Sequence, residues 1–151
     1  MTQHPSCQIF LDIATEAALT GGAVLQAYWG KLEDIQEKGR LGDLLTEADQ
    51  AAEAAVLEVL QRHFPEHQIL AEESGHRGQQ SRYLWAIDPL DGTTNYVHQY
   101  PFWATSVALL IDGMPQVGVI FDPYHSDLFQ AATGLGATRN RRPIQVSTTV
   151  E

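Results

Sequence analysis

The sequence predicts an α+β fold, with two long helices packed on an antiparallel sheet. Three observations carry that expectation. Apolar residues recur at helical intervals over two stretches of the first 63 residues, and short apolar runs follow from about residue 68 to residue 132. Asp112-Gly113 and Asp122-Pro123 punctuate those runs as turn signals, so the strands form a meander with the helices covering one face.

The first helix is expected over residues 6–29, starting near Ser6, with Ile9, Ile13, Ala17, Val24 and Tyr28 on one face and Gly30 as its stop. Gly21-Gly22 falls inside it. Two glycines cost a helix roughly 1 kcal/mol each relative to alanine, so they mark a kink or a close helix contact, with a plain break as the alternative. A polar, hairpin-like stretch around Gly39 and Gly42 leads to a second helix over 46–63, whose Ala52, Val56, Val59 and Leu60 share a face and whose end precedes Pro65. Strands are expected at 68–71 and 83–87, separated by a polar loop over 74–82, and then at 103–111, 116–121 and 127–132. Tyr96, Tyr100, Phe102 and Trp103 read as core and rim packing. Arg139, Arg141 and Arg142 around Asn140 read as a polar hairpin end.

Composition narrows the function classes. A chain of 151 residues is the size of one domain, and 44% hydrophobic residues suffice for a proper core. With 19 acidic against 9 basic residues the formal charge is −10, which argues against a nucleic-acid partner or an anionic membrane surface. Cys7 is the one cysteine, so no intrachain disulfide forms and a reducing, cytoplasmic setting is the simplest. The first ten residues lack a cationic start and a long apolar stretch, and no run reads as long enough to span a bilayer.

The chemistry is concentrated in Asp88-Pro89-Leu90-Asp91-Gly92-Thr93-Thr94-Asn95, directly after an apolar strand. Pro89 fixes its own φ and biases Asp88 towards an extended conformation, so the strand is expected to end with Asp88 at its tip and Asp91 delivered by the turn. Two carboxylates on so short a segment leave the Leu90 carbonyl between them as a third oxygen, and Mg²⁺ prefers all-oxygen surroundings. If Gly92, Thr93 and Thr94 open a helical turn, their free N–H groups face the place where a phosphate oxygen would sit. Either dipeptide alone, Asp-Pro or Asp-Gly, is an ordinary turn signal. Other phosphate chemistries fit less well: there is no Gly-Lys-Ser/Thr run for a P-loop, and a nucleophilic aspartate pair stands two apart rather than three.

Three segments, in order, resemble the inositol monophosphatase family of Mg²⁺-dependent, lithium-sensitive phosphatases. Asp43-Leu44-Leu45-Thr46-Glu47-Ala48-Asp49 is similar to the family's DLVTEAD segment, Ala71-Glu72-Glu73-Ser74 to its GEES strand end, and the stretch from Asp88 to His98 to its DPLDGTTN signature. Leu45 and Ala71 replace the usual valine and glycine, and neither is a ligand position.

The resemblance implies that residues 1–151 form the N-terminal metal-binding domain, the first half of a layered αβαβα sandwich whose second α/β domain is absent from the sequence. It implies two or three Mg²⁺ ions. Glu72, Asp88 and the Leu90 carbonyl would hold one and Asp88 with Asp91 a second, with Glu73 and Lys38 supporting them. Thr93, paired with Asp49, would take a proton from the attacking water, while Gly92, Thr93 and Thr94 hold the phosphate. Thr46 with Asp49 also fits a helix capping box, and the two roles are compatible. The implied reaction is hydrolysis of a small phosphate monoester, inositol monophosphate first. Histidinol phosphate, fructose 1,6-bisphosphate and phosphoadenosine phosphates are the substrates of relatives. A catalytically silent chain acting as a metal-binding or interaction module is the alternative. The partners implied are a second copy or a complementary C-terminal half; nucleic-acid association, found in some bacterial members, gains nothing from the charge.

Overall fold

The computed structural model describes residues 7–150, so the expected helix start at Ser6 lies outside them. Helix α1 (Cys7–Tyr28) is followed by a two-stranded hairpin of β1 (Ile35–Glu37) and β2 (Leu44–Thr46), then by α2 (Glu47–His63). The remaining strands are β3 (Gln68–Ala71), β4 (Gly75–Arg77), β5 (Tyr83–Asp91), β6 (Ala104–Ile111), β7 (Met114–Asp122), β8 (Asp127–Ala132), β9 (Gly136–Arg139) and β10 (Arg142–Pro143). A short helix α3 (Thr93–Val97) leaves the end of β5. These eight strands make one sheet in the order β10-β9-β8-β7-β6-β5-β3-β4. The expected meander is present, with Arg139 to Arg142 at a hairpin end.

The sheet departs from the antiparallel expectation at one place. β3 runs parallel to β5, because β4 turns back along the outer edge of β3 and returns the chain to the start of β5. The polar stretch expected as a loop over 74–82 therefore contains an edge strand. The parallel pairing sets the site: Ala71 lies beside Ile87, so Glu72 and Asp88 emerge side by side at the same end of the sheet.

Both helices pack on one face of the sheet. α2 buries Ala52, Val56, Val59 and Leu60, as its periodicity predicts. On α1 the buried arc is displaced from the predicted stripe: Phe10 is 5% exposed while Ile9 is 58% exposed. α1 is wedged between α2 and strands β6 to β8, so a broad arc of small residues, Ala14, Ala17, Ala18, Gly21 and Gly22, is covered instead. The glycine pair leaves the helix unbroken. A Cβ on Gly21 would come 2.7 Å from Val56 Cγ2, and one on Gly22 would overlap the Phe121 ring, so close contact is what the pair provides. By length and composition α1, with a mean hydropathy of 1.2, is apolar enough to cross a membrane, which corrects the expectation from sequence. Its small-residue arc is nevertheless spent on the protein core.

Tyr96 and Trp103 are core residues, whereas Tyr100 and Phe102 lie on the exposed rim. The Tyr96 hydroxyl donates to the Leu25 carbonyl at 2.5 Å, tying α3 to α1. Trp29 packs against both rings, with centroids 5.1 Å away.

Candidate metal centre

Pro89 does not end the strand. β5 continues to Asp91, with a register shift between Asp88, which pairs with Ser106, and Asp91, which pairs with Ala104. Proline supplies no N–H to a ladder, and a bulge is where a sheet tolerates that loss. The buried Thr105 hydroxyl donates to the Pro89 carbonyl at 2.9 Å and fixes the irregularity. Asp88 is therefore held within the sheet, half-buried, rather than at its tip.

Gly92 then turns the chain into α3 with φ 88°, and a Cβ there would stand 2.9 Å from the Phe102 carbonyl oxygen. Backbone conformation and close approach thus both select glycine. The first bond of α3 runs from Tyr96 N–H to the Gly92 carbonyl, so the N–H groups of Gly92, Thr93 and Thr94 precede its ladder, as a helical opening requires.

A cavity of about 230 Å³ at this end of the sheet is lined by Lys38, Glu72, Asp88, Leu90, Asp91, Gly92, Thr93 and Thr94, together with Asp43 and Asn95. Larger cavities exist elsewhere, including one of about 650 Å³ around His67 and Arg82 at the opposite end of β3 and β5. The acid in its lining is Glu66, whereas Asp43, Glu72, Asp88 and Asp91 all line the smaller cavity.

Asp49 and Glu73 stand just behind its lining. Thr46 caps α2: its hydroxyl accepts from the Ala48 and Asp49 N–H groups and donates to Asp49 Oδ2 at 2.6 Å, while its own N–H donates to the same oxygen at 2.9 Å. With Oδ2 committed to the cap, Asp49 Oδ1 accepts from Thr93 Oγ1 at 3.1 Å. Capping and site roles thus use different oxygens of one carboxylate. The Thr93 hydroxyl also lies 3.2 Å from the Leu90 carbonyl, and its single proton serves one acceptor at a time.

The charge balance is strained. Burial, then a hydrogen bond that the protonated carboxyl donates to Glu72, then the charges of Glu72 and Asp91 push the Asp88 carboxyl up to about 8. Burial also raises Asp49, against the bonds from Thr46 and Thr93, and raises Glu73, against Lys38. Burial would lower the Lys38 ammonium, yet its hydrogen bond to Glu73 and the charges of Glu72, Glu73 and Asp43 hold it above its ordinary value. Lys38 Nζ stands 2.5 Å from Glu73 and 3.8 Å from Glu72. Asp88 Oδ1 is buried with no hydrogen-bond partner among the described residues.

Those observations fit a divalent cation. An orphaned carboxylate oxygen, a neighbouring carboxylate on each side and a peptide carbonyl form a hard oxygen donor set whose mutual repulsion a cation would relieve. Among the described residues no three His, Cys, Asp or Glu side chains are already gathered as a cage. The donors come from one strand, one turn and one peptide group, and Glu72 remains 46% exposed.

Sequence reasoning missed Glu53. This buried residue of α2 accepts the Glu73 N–H at 3.1 Å. The available signal was an acid one turn beyond Asp49 on a helix face otherwise made of Ala48, Ala52 and Val56.

The chain belongs to the inositol monophosphatase family, whose model matches residues 7–151. It is 59% identical to an inositol-1-monophosphatase of Synechocystis sp. over 94% of this chain and 50% of that one. It is 42% identical to a fructose-1,6-bisphosphatase/inositol-1-monophosphatase of Aquifex aeolicus over 91% of this chain and 52% of the relative. The solved structure of inositol monophosphatase from Anabaena (Nostoc) sp. is 60% identical and superposes with a TM-score of 0.82, covering 96% of this chain and 52% of that one. The chain thus spans about half the length of the relatives it matches.

Proposed function

We propose that this chain carries the metal-binding half of a Mg²⁺-dependent phosphate monoester hydrolase, with inositol monophosphate as the substrate. One observation supports this reading above the others: the Thr93–Asp49 pair faces the same cavity as the orphaned Asp88 oxygen and the carboxylates beside it. Glu72, Asp88, Asp91 and the Leu90 carbonyl would hold two or three ions. When bound, Mg²⁺ supplies Lewis acidity, activating water and neutralising charge on the phosphate and the leaving oxygen.

The rest falls to the protein. Thr93 Oγ1 passes its proton to Asp49 Oδ1 and takes one from the attacking water. Burial raises the Asp49 pKa, which suits a proton acceptor. The hydroxide forms a bond to phosphorus as the ester P–O bond breaks; the departing alkoxide takes a proton from solvent water, and Asp49 returns its proton to solvent. Gly92, Thr93 and Thr94 N–H groups orient the phosphate. Lys38 keeps Glu73 in place and offsets part of the negative field. The one cysteine supports a reducing, cytoplasmic setting.

Groups that recognise the sugar alcohol would come from a second α/β domain, whether in the same polypeptide or in a complementary half. The face of the sheet opposite the helices supports this. It carries Leu70, Ala86, Ser106 and Ala108 around an apolar trough of about 500 Å³ that reaches Glu72 and Asp88. A second copy is the other occupant for that face.

The second reading is a catalytically silent cation-binding or interaction module, for which the apolar trough on the open sheet face would serve as the docking surface. Phosphate release from inositol 1-phosphate, measured with and without Mg²⁺ and with the C-terminal half of the Synechocystis relative added in trans, separates the two. Release that needs Mg²⁺ and disappears in Asp88→Asn is expected. Release that survives Asp88→Asn undiminished contradicts the assignment.

A further inference from the structure

Helix α2 places two buried carboxylates one turn apart, Asp49 at 1% and Glu53 at 5% exposure. Each reaches a different acidic segment. Asp49 accepts from Thr93, beyond the end of β5, and Glu53 Oε2 accepts the backbone N–H of Glu73, beyond the end of β3. We propose that Glu53 is a positioning residue: it fixes the turn bearing Glu72 and Glu73 so that α2 sets the separation between the two halves of the cation site, an inference that rests on the metal reading above.

The backbone accounting explains why a side chain is needed there. The parallel ladder between β3 and β5 carries one residue past β3, where Glu72 N–H donates to the Ile87 carbonyl at 3.3 Å. Pairing of β3 with β4 begins again only at Gly75. The Glu73 N–H falls in the gap, and Glu53 replaces the missing strand acceptor. Lys38 holds the same turn from the other side through the Glu73 side chain. Mg²⁺ requires near-ideal octahedral geometry, so freedom in the turn carrying Glu72 translates into lost affinity, and removing such an outer partner typically weakens metal binding 10- to 100-fold.

The test compares Glu53→Met, which keeps the volume and removes the acceptor, with Glu53→Gln, which keeps an acceptor oxygen. Two quantities are read: hydrogen exchange at the Glu73 amide, and Mg²⁺ affinity by calorimetry. Glu53→Met is expected to speed Glu73 exchange and weaken Mg²⁺ binding by about 10-fold or more, with Glu53→Gln restoring both. Faster exchange with unchanged affinity overturns the proposal, as does a Glu73 amide unprotected in the wild-type chain, a result that needs no variant to fold. Wild-type protein that takes up no Mg²⁺ while its Glu73 amide stays protected defeats the metal reading and reduces Glu53 to a structural acceptor.

Discussion

The two ends of β5 use buried polar groups in opposite ways. Near its start, Trp85 is fully buried and donates its indole N–H to His67 Nδ1 at 3.0 Å, while the His67 ring stacks between Phe64 and Tyr83 with centroids 4.6 and 4.4 Å away. At its far end Asp88 is held among acids with an oxygen that no described residue satisfies. One end is complete within the chain. The other is left open by the described residues, which is how a candidate binding site differs from a core made of the same strand.

The largest effect should come from the satisfied end. Trp85→Ala removes a core indole and leaves His67 without its donor, and a loss of about 3 to 5 kcal/mol is expected in urea unfolding. A loss below about 1 kcal/mol would show that the aromatic column does not anchor β5. Gly92→Ala, at the hinge between strand and α3, combines positive φ with contact against the Phe102 carbonyl and should cost about 2 to 3 kcal/mol. Thr46→Ala should cost about 1 kcal/mol as a lost cap, and by removing the hydroxyl bond to Asp49 Oδ2, with only the backbone N–H left on that oxygen, it should also loosen the Thr93 pair.

The most diagnostic effect is one of direction, because the ends titrate with opposite sign. Burial lowers the His67 pKa below its ordinary 6.5, so the unfolded state binds more protons, and this stabilisation is complete above 6.5 and lost as pH falls through the lowered value. Asp88 is raised from 3.8 to about 8, so the folded state binds more protons, and its contribution is complete below 3.8 and lost as pH rises towards 8. Thermal melts of the metal-free chain across pH 4 to 8 should therefore show a smaller acid-side slope in His67→Gln and a smaller slope towards pH 8 in Asp88→Asn, where the raised Asp49 and Glu73 remain. Matching changes in both variants would remove the distinction between the ends.

Much of this was legible in the residues. The segment from Asp88 to Asn95 lines one cavity with Glu72 and Lys38, Thr46 with Asp49 announced the cap, and the face of Ala52, Val56 and Leu60 was read correctly. What the sequence concealed was long-range. Strand direction is not encoded in alternation, so the parallel β3–β5 pair that brings Glu72 beside Asp88 was not seen. A proline normally stops a strand, and only the bulge held by Thr105 lets β5 continue. Glu53 stood out only as an acid on an otherwise apolar helix face, and its partner, a backbone N–H 20 positions away, is not visible in that pattern.

Calorimetric titration of Mg²⁺ into the wild-type chain and into Asp88→Asn tests the central claim most directly. Saturable uptake by the wild-type protein, lost in the variant at unchanged fold, is the expected result. No uptake by the wild-type chain, or equal uptake by both, would contradict the assignment of this carboxylate cluster to a divalent cation.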